Sequence, residues 1–379
     1  MAETTGSRVV SARVHVLGSW FVSHVVATLA LVLTPDITDS GLRSLAFYRG
    51  LYRKRLTFMD GGWYRLIVNH GYPNQVSPHV ANEWPFFPLY PWLAGALRVI
   101  GPHTRLSLIL VSWIAALVAG WGVWKLAESR FGTETAAWSV WLFVFAPGAI
   151  GLTMAYSDGI FVAGVVWALV FADRIVTANT DDPSSTATFD RRFLAVGLCC
   201  LVATMSRPNG FLVVFALAWS ALASSHRVRS TVAVVGPSLV FLVCWMAYAR
   251  HMTGDALAFL TSKNAWLETM FVDFVRDPFE RPAIVFHVIV LVVTVAIAWP
   301  AVRRLPMHWV LVAGLLVVPS FILGVEGLAR YTFMAVPLSI AMAVRLVDRS
   351  RAWRVGVLLV SGAALVFLCA NVVRYTWVP

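Results

Sequence analysis

Apolar runs, each about the length of a membrane-spanning helix and parted by short polar stretches, set the pattern of the chain. A spanning helix needs roughly 20 mostly apolar residues, and Val16–Leu33, Ala283–Trp299, Trp309–Leu323 and Val355–Ala370 have this character. The pattern predicts eleven spans near 14–34, 104–126, 134–154, 157–173, 192–206, 210–225, 230–249, 283–301, 307–324, 332–346 and 355–372. The expected fold class is an all-α integral membrane bundle, a single polytopic domain over 1–379. It has a long first external loop at 35–103, a second at 250–282 and a polar cytoplasmic linker at 174–191.

The segment Phe86–Ile100 decides the orientation of everything after it. If it crossed, Lys125–Arg130, Arg227–Arg229, Arg303–Arg304 and Arg345–Arg354 would all be external, against the tendency of Lys and Arg to stay cytoplasmic. Pro85, Pro88 and Pro91 break the segment. Read as interfacial or re-entrant, it leaves those loops inside together with Arg8, Arg13, Arg191 and Arg192. The amino terminus is then cytoplasmic and the carboxyl terminus external. The first run is read as a retained helix, not a cleaved signal. Arg43, Arg49, Arg53, Lys54 and Arg55 fall outside in this arrangement and are expected to touch headgroup phosphates from helices lying flat in the interface.

Composition agrees with the pattern: 59% of residues are hydrophobic and 13% charged, about half the charged fraction of a soluble domain. The net charge of +11 is assigned to cytoplasmic loops and anionic headgroups, with no nucleic acid implied. Cys199, Cys200, Cys244 and Cys369 all lie in apolar runs and are read as core filler, which excludes a disulfide framework. No Gly-rich phosphate loop follows a strand and no zinc-ligand spacing appears, so no metal site is expected.

With this topology the polar motifs collect on the external side. They are Asp60-Gly-Gly-Trp-Tyr64, His70-Gly-Tyr72, Glu83-Trp-Pro-Phe-Phe-Pro-Leu-Tyr-Pro91, Tyr156-Ser-Asp-Gly159, Ser206-Arg-Pro-Asn-Gly210, Gly254–Trp266 and Glu326–Tyr331. Asp60, beside flexible glycines and aromatic rings, suits a general base approaching a sugar hydroxyl; from composition alone the alternative is a turn or helix-cap residue. Arg207 and Arg330 end apolar runs, where arginine is costly unless paired with phosphate or carboxylate, or else snorkels to headgroups. Asp158 is expected to pair with one of them or to position an acceptor. His70 and Glu83 are too isolated to form a ligand set. The run Trp84–Trp92 either anchors the loop or grips a polyprenyl chain, and most of the 17 tryptophans are expected in the interface belt.

At these residues the chain resembles the PIG-V-type mannosyltransferases, relatives of GPI mannosyltransferase II within the GT-C class. The resemblance runs in order through Met59-Asp60-Gly-Gly-Trp-Tyr64, Gly71-Tyr72, Phe86-Phe-Pro-Leu-Tyr-Pro91, Tyr156-Ser-Asp158, Arg207-Pro-Asn-Gly210, Gly254-Asp-Ala-Leu-Ala-Phe259 with Trp266, and Arg330-Tyr331 with Pro337. Met59, Asp158 and Ser262-Lys263-Asn264 stand where the family more often has Trp, Glu and Ala-Gln. The resemblance implies a GT-C-like bundle and an inverting transferase that takes mannose from a polyprenyl-phosphate carrier, with Asp60 as general base.

The expected donor-phosphate residues are Arg207, Arg330 and Lys263. The expected substrate-binding residues are Trp63, Tyr64, His70, Tyr72, Glu83, Phe87, Tyr90, Tyr156, Asp158, Asn209, Trp266 and Tyr331. No cofactor is required, a divalent metal being an open alternative. The expected partners are a polyprenyl-phosphate-mannose donor, a glycolipid or glycan acceptor and membrane lipids. The Trp- and Arg-rich composition is read as that of a bacterial plasma-membrane protein acting on its extracytoplasmic face, with an envelope glycolipid or glycan as acceptor. The rival classes are a flippase for a lipid-linked sugar, although no inverted repeat is visible, and a non-catalytic glycan-binding subunit.

Overall fold

The computed structural model describes residues 5–35, 54–181, 191–222, 226–264, 282–318, 320 and 327–374, and among them every regular element is helical. In chain order these are α1 (Thr5–Leu33), α2 (Asp60–His70), α3 (Leu89–Val99), α4 (Thr104–Val144), a 3-10 turn at Pro147–Ala149, α5 (Ile150–Thr153), α6 (Asp158–Asp181) and α7 (Arg192–Ser206). There follow α8 (Gly210–Leu222), α9 (Arg227–Thr253), α10 (Pro282–Val302), α11 (Met307–Val317), α12 (Leu328–Met334), α13 (Val336–Val347) and α14 (Arg351–Val373). Trp266, Arg43, Arg49 and Arg53, and residues 182–190 of the expected linker, lie outside the described residues.

Among the described residues the apolar runs are helical, but they are divided differently from the eleven expected spans. Five helices are long and apolar enough to cross a membrane, up to seven if each of two bent pairs is one span, and three more are shorter and apolar. The 41 residues of α4 would reach about 60 Å if straight, twice the hydrocarbon thickness. Instead the chain turns at Gly132 (φ 81°, ψ 176°), a backbone conformation that only glycine adopts without steric cost. The expected span 134–154 ends early at Val144, because Pro147 removes a helical donor. The chain then bends by 107° between Pro147–Thr153 and Asp158–Ile175, and by 71° between α12 and α13. The expected spans 134–154 and 157–173 part at the first bend, whereas the second falls inside the expected span 332–346, where hydropathy registers continuous apolar sequence.

Large apolar side chains face outward, among them Phe215 at 71% exposure, Trp219 at 68% and Leu359 at 67%. Inward, Trp124, Phe143, Phe161 and Phe333 are fully buried. Small residues let the helices close up: a Cβ on Gly197 of α7 would lie 1.9 Å from the Ala233 carbonyl oxygen of α9, the kind of backbone approach that packs helices in lipid.

Polar groups inside the apolar runs tie the broken segment in place. His24 of α1 binds the Leu152 carbonyl through Nε2 at 3.1 Å, and Trp113 Nε1 donates to the Thr153 carbonyl at 2.9 Å. These bonds satisfy carbonyls that the helix end leaves without partners. Arg55, expected at headgroup phosphates, is instead buried, and its Nη1 donates to the carbonyls of Leu31, Val32 and Thr34 at 2.9, 2.9 and 2.6 Å. It caps the carboxyl end of α1, where free carbonyls and the helix dipole attract a cation.

Candidate active site

Four sequence-distant segments bring their charges together at one end of the bundle. Asp60 opens α2, and its carboxylate, 25% exposed, forms an ion pair with Arg330 Nη2 at 2.9 Å. Arg330 lies in the seven-residue helix α12 and is buried. It also grips the fully buried Asp158, with Nε on Oδ2 at 2.6 Å and Nη2 on Oδ1 at 2.7 Å. Arg207, where α7 ends, donates from Nη1 to the same Oδ1. The Arg330 guanidinium sits 4.4 Å above the Tyr156 ring, a cation–π contact that suits a cation withdrawn from water.

The formal charges cancel, since two arginines meet two carboxylates. Burying them is tolerable only because each is paired and the buried Asp158 is hydrogen-bonded to both arginines. Asp158 serves as the shared inner partner, while Asp60 is the member that reaches the open side.

The local backbone is built for this convergence. Met59, just before Asp60, has φ 51° and ψ −122° and is the one non-glycine with positive φ among the described residues. Such a conformation costs about 1–3 kcal/mol and persists where the surroundings over-determine it. The strain aims the first turn of α2 at the Ala155–Asp158 turn, where Ala155 N–H donates to the Leu56 carbonyl at 2.7 Å. That turn is fixed from behind by Ser112, whose hydroxyl meets the Tyr156 carbonyl at 2.9 Å, the Tyr156 N–H at 3.2 Å and the Tyr90 hydroxyl at 2.8 Å. One helical turn past Asp60, Tyr64 donates to Ser157 Oγ at 2.7 Å. Burial pushes the Tyr64 hydroxyl above the ordinary phenol range, so it remains a donor at any physiological pH.

Two glycines make room for the cluster. A Cβ on Gly151 would lie 2.0 Å from Asp158 Oδ2, and one on Gly148 would lie 2.1 Å from the Ala329 carbonyl oxygen beside Arg330. Gly151→Ala must therefore displace the carboxylate. It is expected to destabilise the fold by about 1–3 kcal/mol, seen as a lower unfolding midpoint in detergent, and to depress activity with it.

The other expected residues divide by position. Trp63 stacks on Phe86 with centroids 6.0 Å apart, and Tyr331, next to Arg330, is half-buried. Asn209, two residues beyond Arg207, is half-buried as well. Lys263 is half-buried in a helical stretch at 258–264, which Ser262 ties to Asn82 Oδ1 at 2.5 Å. No ion pair of Lys263 occurs among the described residues, so the structure brings Arg207 and Arg330 together without it.

Tyr72 and Phe87 belong to an aromatic cluster with Trp84 and Trp245, and Phe87 and Tyr90 are completely buried. The cluster braces the chain around α2 and α3 against α9, Tyr90 is held on α4 by the Leu108 carbonyl and Ser112, and Phe87 and Tyr90 present no surface to a ligand in this conformation. Glu83 is half-buried on that side, near Tyr72. His70 is exposed at the far end of α2, about 15 Å along the helix from Asp60, and does not join the cluster. Sequence reasoning missed Ser112, Gly148 and Gly151. A lone serine or glycine in an apolar run carries no chemical signal, and their roles follow from bends that hydropathy does not register. No group of three or more potential metal-ligating side chains occurs among the described residues.

Two apolar grooves open on the lipid-facing side. The smaller, about 480 Å³, runs between α3, α4 and α6 past Leu93, Leu97 and Ile114. The larger, about 680 Å³, lies between α10 and α14 and reaches Pro147, next to the glycine on which Arg330 rests.

Comparison with known proteins fits this arrangement. Residues 84–251 match the family described as dolichyl-phosphate-mannose-protein mannosyltransferase. No curated protein matches the chain. Among solved structures, ArnT from Cupriavidus metallidurans, bound to undecaprenyl phosphate, superposes with a TM-score of 0.55 at 16% identity, over 93% of this chain and 63% of that one. The apo oligosaccharyltransferase of Archaeoglobus fulgidus gives 0.49 at 13% identity, over 95% of this chain and 56% of that one. The same organism's AglB, in complex with an inhibitory peptide and a dolichol-phosphate, gives 0.45 at 14%, over 96% and 56%. The chain thus spans between about half and two thirds of the length of these structures. The likeness to ArnT establishes a GT-C-like helical membrane fold, and together with the family match it makes the chain similar to GT-C, mannosyltransferase-like proteins.

Proposed function

We propose that this protein is an inverting glycosyltransferase of the PIG-V type, moving mannose from a polyprenyl-phosphate-mannose donor to a hydroxyl of an envelope glycolipid or glycan on the extracytoplasmic face. The observation that carries the reading is Asp60, a partly exposed carboxylate joined through Arg330 to the buried Asp158–Arg207 pair. The name of the matched family and the undecaprenyl phosphate bound to ArnT support a lipid-phosphate donor.

The charge balance of the cluster suggests how it works. Asp60 takes the proton of the acceptor hydroxyl as that oxygen attacks the anomeric carbon, and the bond from carbon to phosphate oxygen breaks on the opposite face. Before the step the four side chains sum to zero. Once Asp60 is protonated they sum to +1, at the moment when the leaving phosphate gains negative charge. Preorganised cationic donors aimed at developing charge are among the largest catalytic terms. Arg330 contributes Nη1, and Arg207 its Nε and Nη2, since the contacts within the cluster engage Arg330 Nε and Nη2 and Arg207 Nη1. One displacement inverts the anomeric configuration, so a β-linked donor gives an α-mannoside. The isoprenoid tail fits the apolar groove that reaches Pro147, or the smaller one beside α3.

Reconstitution with labelled polyprenyl-phosphate mannose tests the reading. Formation of a new glycoside is expected, with full activity in chelator because arginines neutralise the leaving group. Sugar movement without transfer would make the protein a flippase. Loss of activity in chelator, restored by manganese, would overturn the metal-free scheme.

A further inference from the structure

A second charged site lies at the other end of the bundle. Along α6, Asp173 stands 15 residues beyond Asp158, about 22 Å at the helical rise, so it is remote from the Asp60 cluster. Around it opens a cavity of about 600 Å³ whose walls include Lys125, Arg130, Arg174 and Arg304. Four cations thus converge from α4, α6 and the turn after α10, against two carboxylates, Glu128 and Asp173.

The carboxylates are already engaged. Arg130 holds Asp173 with Nε at 2.8 and 2.9 Å and Nη2 at 2.6 Å, and His308 Nε2 lies 3.8 Å away. Lys125 pairs with Glu128 at 3.0 Å. Two arginines are left over. Arg174 is exposed, with its guanidinium 5.8 Å from the Phe171 ring and no carboxylate partner among the described residues. Arg304 lies 3.5 Å from Asp348 with both side chains more than half exposed, a pairing that contributes little in water. Arg192 Nη1 donates to the Arg174 carbonyl at 2.9 Å. Phe131 and Val170 supply apolar wall between the charges.

We infer that this cavity binds one phosphate-bearing anion through Arg174 and Arg304. It is a site separate from the Asp60 cluster and independent of any transfer reaction there. Arginine's planar fork matches phosphate oxygens two at a time. A basic pocket at the end of apolar helices, with apolar wall beside the charge, suits an anionic lipid headgroup whose chains continue along the bundle. A free phosphate or pyrophosphate would present the same chemistry to the two arginines.

The test uses the full chain purified in detergent, with short-chain phosphatidylglycerol, the matching phosphatidylcholine and inorganic pyrophosphate as probes. Bound ligand is counted by native mass spectrometry. The expected result is one saturable phosphatidylglycerol, not displaced by phosphatidylcholine and bound about tenfold or more weakly by the Arg174→Ala/Arg304→Ala variant. Arg174→Lys/Arg304→Lys, which keeps the charge but loses the bidentate fork, should bind more tightly than the alanine variant and more weakly than wild type, and so separates loss of the site from misfolding. Saturable, arginine-dependent binding of pyrophosphate with no bound lipid would support the site and make its ligand a soluble anion. Phosphatidylglycerol bound equally by wild type and the alanine variant, or phosphatidylcholine bound as well as phosphatidylglycerol, would overturn it.

Discussion

Asp158→Ala is expected to destabilise the folded bundle by about 3–5 kcal/mol, the usual cost of stripping one partner from a buried ion pair. Asp158 is fully buried and accepts from Arg330 at 2.6 and 2.7 Å and from Arg207. Without it, two guanidinium groups must share Asp60, which lies at the open edge. The unfolding midpoint of the purified protein in detergent reads this loss directly. A second variant separates charge from shape: Asp158→Leu combined with Arg330→Met removes both halves of the tightest pair and replaces them with apolar volume. It should recover more than half of the lost stability while restoring no transfer activity. An Asp158→Ala protein with a wild-type midpoint would mean that the cluster does not hold the broken helices together.

Much of this cluster was legible one residue at a time. Arg207 and Arg330 at the ends of apolar runs had to find anions or solvent, and Asp158 at the start of a run was the nearest candidate. The sequence could not show that all three meet on one carboxylate, because the junction depends on bends at Pro147–Asp158 and at Ala335. Such bends arise from tertiary packing against Gly148, Gly151 and Ser112. An apolar string with a glycine in it looks the same whether the helix continues or turns. Arg55 shows the opposite limit. Charge counting placed it at the interface, yet its guanidinium closes the end of α1, since unsatisfied carbonyls attract a cation as well as a headgroup does. The aromatic residues divide for a similar reason. Phe87 and Tyr90 lie within a Pro-rich run suited to gripping a lipid, but burial gives them to packing, while Trp63 and Tyr331 keep partly open faces.

Asp60→Asn separates the two roles that the proposed mechanism gives to one carboxylate. Asparagine has nearly the same shape and can still face Arg330 with its side-chain oxygen, so the fold should be retained; Asp60 is 25% exposed, and among the described residues its one ion pair is to Arg330. What it cannot do is take a proton, and turnover should fall by about 10²–10⁴, the range for losing a general base. The substitution also leaves the cluster permanently at +1. Binding of the polyprenyl phosphate product should therefore be unchanged or tighter even as turnover collapses. An arginine variant has the reverse signature: Arg207→Gln removes positive charge, so it should weaken phosphate binding along with transfer. Measuring product-lipid affinity beside single-turnover transfer distinguishes the two. Near-normal transfer by Asp60→Asn would remove Asp60 from the chemistry. Weakened phosphate binding in the same variant would show that its carboxylate orients Arg330 more than it competes for it.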